Sequence, residues 1–173
     1  MYRLLWLPWL PAIALAACGT ENDQRPRTVE YITEAVLAPN CGNAQCHSSF
    51  RNEKGYAFDT VKKAQQSLAG GLVGAISLNS RDEAEGDAAS SFLLTVLTRT
   101  IDRMPYDQPL PDPDRELIER WIDFGAPGAQ CDPRFGRTLC LGTKQVECLD
   151  SFDYGAVTDC AAMGKTCTAG ACQ

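Results

Sequence analysis

Apolar residues in this chain form one unbroken run at the start and then short stretches of helical period set among polar segments. The unbroken run is Leu4 to Ala17 (LLWLPWLPAIALAA). Beyond it, Val29, Ile32 and Val36 recur at helical spacing, with Thr28 placed to cap and Glu30 in the first turn. Pro39 is expected to close that helix just before Cys41. Asp59-Thr60 open a weaker stretch through Val61, Ala64 and Leu68, which the run AGGLVG at 69–74 should break. Residues 80–87 (SRDEAEGD) read as a solvated acidic loop, since the spacing of a calcium-binding EF-hand is absent. Order should return at Ser91, where Phe92, Leu93, Val96 and Leu97 share one helical face. The clearest helix comes last. Asp112 is placed to cap it, with Pro113 at its first position. Leu117, Ile118, Trp121 and Ile122 form its buried stripe, Glu116, Glu119, Arg120 and Asp123 its wet face, and Gly125 its stop.

These elements predict a small all-α domain over residues 28–128, with loops long enough that something is expected to lie within them. The character changes at Gln130. Cys131, Cys140, Cys148, Cys160, Cys167 and Cys172 follow among glycines, and large aliphatic residues are too few for an ordinary core. Three disulfides are expected to take over that role across residues 129–173, in a pairing the sequence leaves open. Little regular structure is expected there beyond short strands such as Lys144–Cys148. The segment resembles the small cysteine-rich modules appended to exported proteins of myxobacteria, a likeness that carries no activity with it.

The N-terminal run falls short of the ~20 residues that span a bilayer, and Pro8 and Pro11 interrupt it. With Arg3 ahead of it, residues 1–17 read as a secretory leader. Leu15-Ala16-Ala17-Cys18 resembles the lipobox of bacterial lipoproteins, which implies cleavage before Cys18 and lipid on its thiol. Gly19 in the next position implies, by the same resemblance, sorting to the outer membrane. Residues 18–27 would then be a flexible tether. Loss of Arg3 with the leader takes the formal charge from −6 to −7. An acidic chain without a Lys/Arg cluster is a poor match for nucleic acid or anionic headgroups, so the membrane contact is expected to be the lipid.

Nine cysteines in an exported chain belong to an oxidising compartment. With Cys18 lipidated and six in the C-terminal module, Cys41 and Cys46 remain. The single histidine stands directly after them, in Cys41-Gly-Asn-Ala-Gln-Cys46-His47. Attachment of c-type haem uses C-x-x-C-H, two thiols for the vinyl groups and an adjoining imidazole for the iron. Here the spacer is longer, which still serves if its loop bulges outward. Of the methionines beyond the leader, Met163 lies in the disulfide module. Met104 sits in a proline-flanked loop between the two best helices, where a thioether can reach a second axial position.

Pro39-Asn40-Cys41 to Cys46-His47, Ser91-Phe92-Leu93-Leu94, Met104-Pro105 and Leu117 to Ala126 together resemble the class I cytochrome c-like domain found in exported lipoproteins of Gram-negative bacteria. The resemblance implies haem c (heme c), with Cys41 and Cys46 as thioether anchors, His47 as proximal ligand and Met104 as distal ligand. It also implies that Trp121 packs near the macrocycle. The expected role is a carrier of electrons in the cell envelope, tethered to the outer membrane with its face to the periplasm or outside, and partnered by envelope redox proteins. A second reading of the same residues is a haem-free structural or binding lipoprotein stapled by a Cys41–Cys46 disulfide, with His47 merely exposed and Met104 filling space. Zinc on Cys41, Cys46 and His47 would lack a fourth ligand. One histidine and no paired carboxylates leave no hydrolytic constellation, so the chain is not expected to be an enzyme.

Overall fold

The computed structural model describes residues 23–173, so the leader, Cys18 and the start of the tether lie outside the described residues. Thr28 caps the first helix, its hydroxyl accepting the Tyr31 N–H at 3.3 Å. This helix, α1, runs as an α segment (Val29–Ile32), a π segment (Thr33–Leu37) and a closing α turn (Ala38–Asn40). Pro39 sits inside the last turn, and the helix ends at Asn40, just before Cys41, as expected. Its ring would clash with the carbonyl four residues back, at Ala35, and lacks the N–H to bond it. Ala35 lies in the π segment, whose wider winding accommodates that defect.

Thr60 caps α2 (Val61–Ser67), which a π turn at Leu68–Leu72 continues. The glycines do break the helix, at Gly71, whose φ is +107°. In α3 (Phe92–Thr98) the buried residues are Leu93, Leu94 and Leu97, while Phe92 is half exposed. The expected face is thus rotated. Ser91 sets the rotation: its buried hydroxyl donates to Leu72 O at 3.1 Å and accepts the Leu94 N–H at 3.3 Å. The last helix, α4 (Asp112–Asp123), buries Leu117, Ile118, Trp121 and Ile122 as expected. It starts one residue earlier than its sequence signals indicate, with Pro111 in the cap position. The Asp112 carboxylate accepts from Arg115 at 2.7 Å rather than capping.

The expectation of an all-α fold is overturned. Among the described residues seven strands form three small antiparallel sheets, so the chain is mixed α/β with disulfides. Two of these strands lie within the helical part: β1 (Ile76–Leu78) pairs with β2 (Ala84–Gly86) in a hairpin. β2 falls inside the segment read as a solvated loop. It lacks large apolar side chains because the backbone itself is pressed on α4; a Cβ on Gly86 would stand 2.1 Å from Ile122 O. The rest of the segment is solvated as expected, with residues 80–83, Glu85 and Asp87 exposed, while Gly86 marks a close backbone approach.

The C-terminal module is also more regular than expected. β3 (Thr138–Leu141), β4 (Lys144–Cys148) and β5 (Tyr154–Asp159) form one antiparallel sheet, and β6 (Cys167–Thr168) pairs with β7 (Ala171–Cys172). The six cysteines pair as Cys131–Cys148, Cys140–Cys167 and Cys160–Cys172. The module packs on the α2 and β1 side of the helical part. Phe152 is buried with the Lys62 ammonium 4.4 Å above its ring, Gln65 donates to Ser151 O at 3.2 Å, and the Tyr154 hydroxyl donates to Ile76 O at 3.1 Å.

Residues 23–25, read from the sequence as part of a flexible tether, are bonded to the folded part. Arg25 forks onto Asp23, pairs with Asp114 and donates to Pro113 O at 2.6 Å, while Arg120 reaches Asp23 at 3.0 Å. The hydrogen bonds from Arg25 hold the Asp23 carboxyl down at about 2. Residues 23–25 are thus strapped to the start of α4.

Trp121 is the largest wholly buried side chain of the core, and its indole N–H donates to Pro127 O at 3.2 Å. Trp121→Ala is expected to lower unfolding free energy by about 3–5 kcal/mol, read as a shift in denaturant midpoint. A midpoint unchanged from that of the native chain would show that this residue does not anchor the core.

Candidate cofactor site

The end of α1 sets the first side chain of the site. The Cys41 and Gly42 N–H groups both donate to Leu37 O, at 2.7 and 3.0 Å. Residue 42 must be glycine because a Cβ there would lie 2.9 Å from Ala38 O and 3.0 Å from Asp59 Cα. The chain then turns outward. Cys46 N–H donates to Asn43 O, Gln45 N–H donates to the Asn43 side chain, and residues 43–45 are exposed. His47 N–H closes the loop on Cys41 O at 3.0 Å. The long spacer between the thiols is therefore an outward bulge that brings its ends back together.

His47 is held on both sides. Its carbonyl accepts the Phe58 N–H at 2.6 Å, and its ring lies edge-on to Phe58 with centroids 5.5 Å apart. Nδ1 is 3.0 Å from Glu53 O. A carbonyl can only accept, so Nδ1 carries a proton, and in the neutral ring the lone pair is that of Nε2. This is the second contact that commonly fixes tautomer and ring direction in a metal-ligating histidine.

Cys41 and Cys46 are both free thiols, Cys41 buried and Cys46 half-buried. Burial, and secondarily the neighbouring Cys46, pushes the Cys41 thiol up to about 12. Cys41 is thus kept as a neutral thiol at physiological pH.

The other wall comes from far along the chain. Between α3 and α4 the backbone is anchored by the Met104 N–H donating to Val96 O at 2.9 Å, and the Met104-Pro105 peptide is cis. Met104 itself is half-buried. Cys41, Cys46, His47 and Met104 all line one open cleft of about 1020 Å³. That is at the upper end of the ~300–1,000 Å³ usual for cofactor-sized ligands. Prolines 39, 105, 109 and 111 give it apolar wall, and Arg51 and Lys54 place cations on it.

The structure thus brings together all four residues singled out for haem. It does not bring in Trp121, which is a core residue and does not line the cleft. Met163 is exposed in the C-terminal module. Among the described residues no three His, Cys, Asp or Glu side chains converge as a metal cluster. Sequence reading missed Arg51, Lys54 and Tyr106 as lining residues. The only signal for the last was the run of prolines at 105, 109, 111 and 113 around it. No described helix is long and apolar enough to cross a membrane.

Comparison with protein-family models, with curated proteins and with solved structures returned no match.

Proposed function

We propose that the cleft holds haem c and that the protein carries electrons in the cell envelope, tethered by lipid at Cys18. The observation that carries this reading is the meeting of Met104 with the Cys41–His47 loop in one cleft, with His47 Nε2 left unspent. The donor set fits the group. Two thiols are free to add across vinyl groups, sulfur to one carbon and hydrogen to the other, with no leaving group. An imidazole is oriented through its Nδ1 contact, and a thioether lines the same cleft. Arg51 and Lys54, both beside Glu53, line the cleft and would be the cations available to the group's carboxylates. Bound there, haem supplies one-electron chemistry, its potential raised by a methionine ligand.

Peptide mapping tests the reading. The peptide containing Cys41 and Cys46 is expected to carry haem mass after maturation in a host that attaches haem. Recovery of that peptide as a haem-free Cys41–Cys46 disulfide would instead favour the structural lipoprotein.

Met104→Ala is expected to leave haem attached but to lower the reduction potential, because a soft thioether favours the reduced iron. Redox titration of the variant against the native chain measures it. An unchanged potential would remove Met104 from the ligand set.

A further inference from the structure

We infer that the rim of the cleft formed by Tyr106 and the prolines up to α4 rests against the lipid headgroup layer. This rests on the lipid anchor at Cys18 and not on the identity of what fills the cleft. The strap fixes where the folded part begins: Arg25 holds Asp23 and Asp114 together and bonds Pro113 O, at the start of α4. From Cys18 to Asp23 the chain spans at most about 18 Å even when fully extended. A folded unit of this size has a radius of gyration of about 15 Å, so the reach of the tether is only about half the domain's width. Faces on the far side of the domain from the strap cannot turn to the lipid; the half that carries Pro111 to Asp114 can.

That end is built for contact. Pro111 lines the cleft two residues before the strapped carbonyl, and Tyr106, 72% exposed, lines the same cleft. An exposed tyrosine among prolines is the amphipathic kind of group that settles at a headgroup boundary. Its charges select the lipid. They nearly balance: Arg115 pairs with Asp112, Arg51 and Lys54 flank Glu53, Arg25 is spent on Asp23 and Asp114, and Asp107 is exposed, which favours zwitterionic over anionic headgroups.

The test is hydrogen exchange on the full mature chain, lipidated at Cys18, in phosphatidylcholine vesicles. Peptides covering residues 104–113 are expected to exchange several-fold more slowly than in the unlipidated Cys18→Ser chain, with the hairpin turn at 79–83 unchanged. Inserting a flexible spacer of about 20 Gly/Ser residues before Asp23, with an r.m.s. reach of about 25 Å, should restore fast exchange. Equal exchange at 104–113 in the lipidated chain, or protection that falls instead on residues 138–172, would overturn the inference and leave the anchor intact. An intact mass lacking lipid on Cys18 would overturn the anchor and the inference with it.

Discussion

His47→Ala is expected to reduce haem incorporation by more than about 100-fold, leaving a chain with no Soret band. Before the thioether bonds form, the group would be held through its iron; loss of an outer-shell partner alone typically costs ~10–100-fold in metal affinity, and this substitution removes the ligand itself. No other imidazole can substitute, because the chain has one histidine. His47 is half-buried and its backbone bonds to Cys41 O and from Phe58 N–H survive the change, so the loop should keep its shape. Haem per chain, measured as the pyridine haemochrome beside a far-ultraviolet dichroism spectrum, separates ligation from folding. A folded His47→Ala chain with full haem occupancy would remove the histidine from the site.

The second large effect lies at the other end of the chain. Reduction of Cys131–Cys148, Cys140–Cys167 and Cys160–Cys172 is expected to unfold residues 129–173 while the helical core persists. The bridges close loops with sequence separations of 17, 27 and 12. Chain-entropy arguments give about 3 kcal/mol for each. Against that, the module buries few large apolar side chains, chiefly Val146 and Phe152. Phe152 and Tyr154 belong jointly to the module and to its seat on α2 and β1, so the seat is lost too. Amide exchange before and after treatment with a phosphine reductant reads this directly. Protection across β3 to β5 should collapse while Leu117 to Ile122 of α4 stay protected. Sheet protection that survives full reduction would show that packing alone holds the module.

Legibility from sequence followed the kind of interaction. Caps made by a side chain on its own helix, as at Thr28 and Thr60, are local and were readable. So was the buried stripe of α4, where period and burial coincide. Elements fixed by long-range contact were not. β2 has no strand-like side chains because Gly86 answers to the carbonyl of Ile122, which no local pattern reports. The orientation of α3 depends on a hydrogen bond from Ser91 to Leu72 O. The strap at Asp23 and Arg25 depends on Asp114 and looked like polar tether. At the site, residue types and spacing pointed to Cys41, Cys46, His47 and Met104, and the cleft contains all four. Trp121 was legible as a buried residue of α4, but not its indole N–H bond to Pro127 O, which depends on the turn after the helix.

The central claim is tested most directly by the visible spectrum and intact mass of the mature chain, purified from a host that matures c-type cytochromes. The account predicts a Soret band that shifts on reduction with dithionite, and a mass raised by one covalently held haem. A colourless protein whose mass is that of the polypeptide with its lipid alone would contradict it.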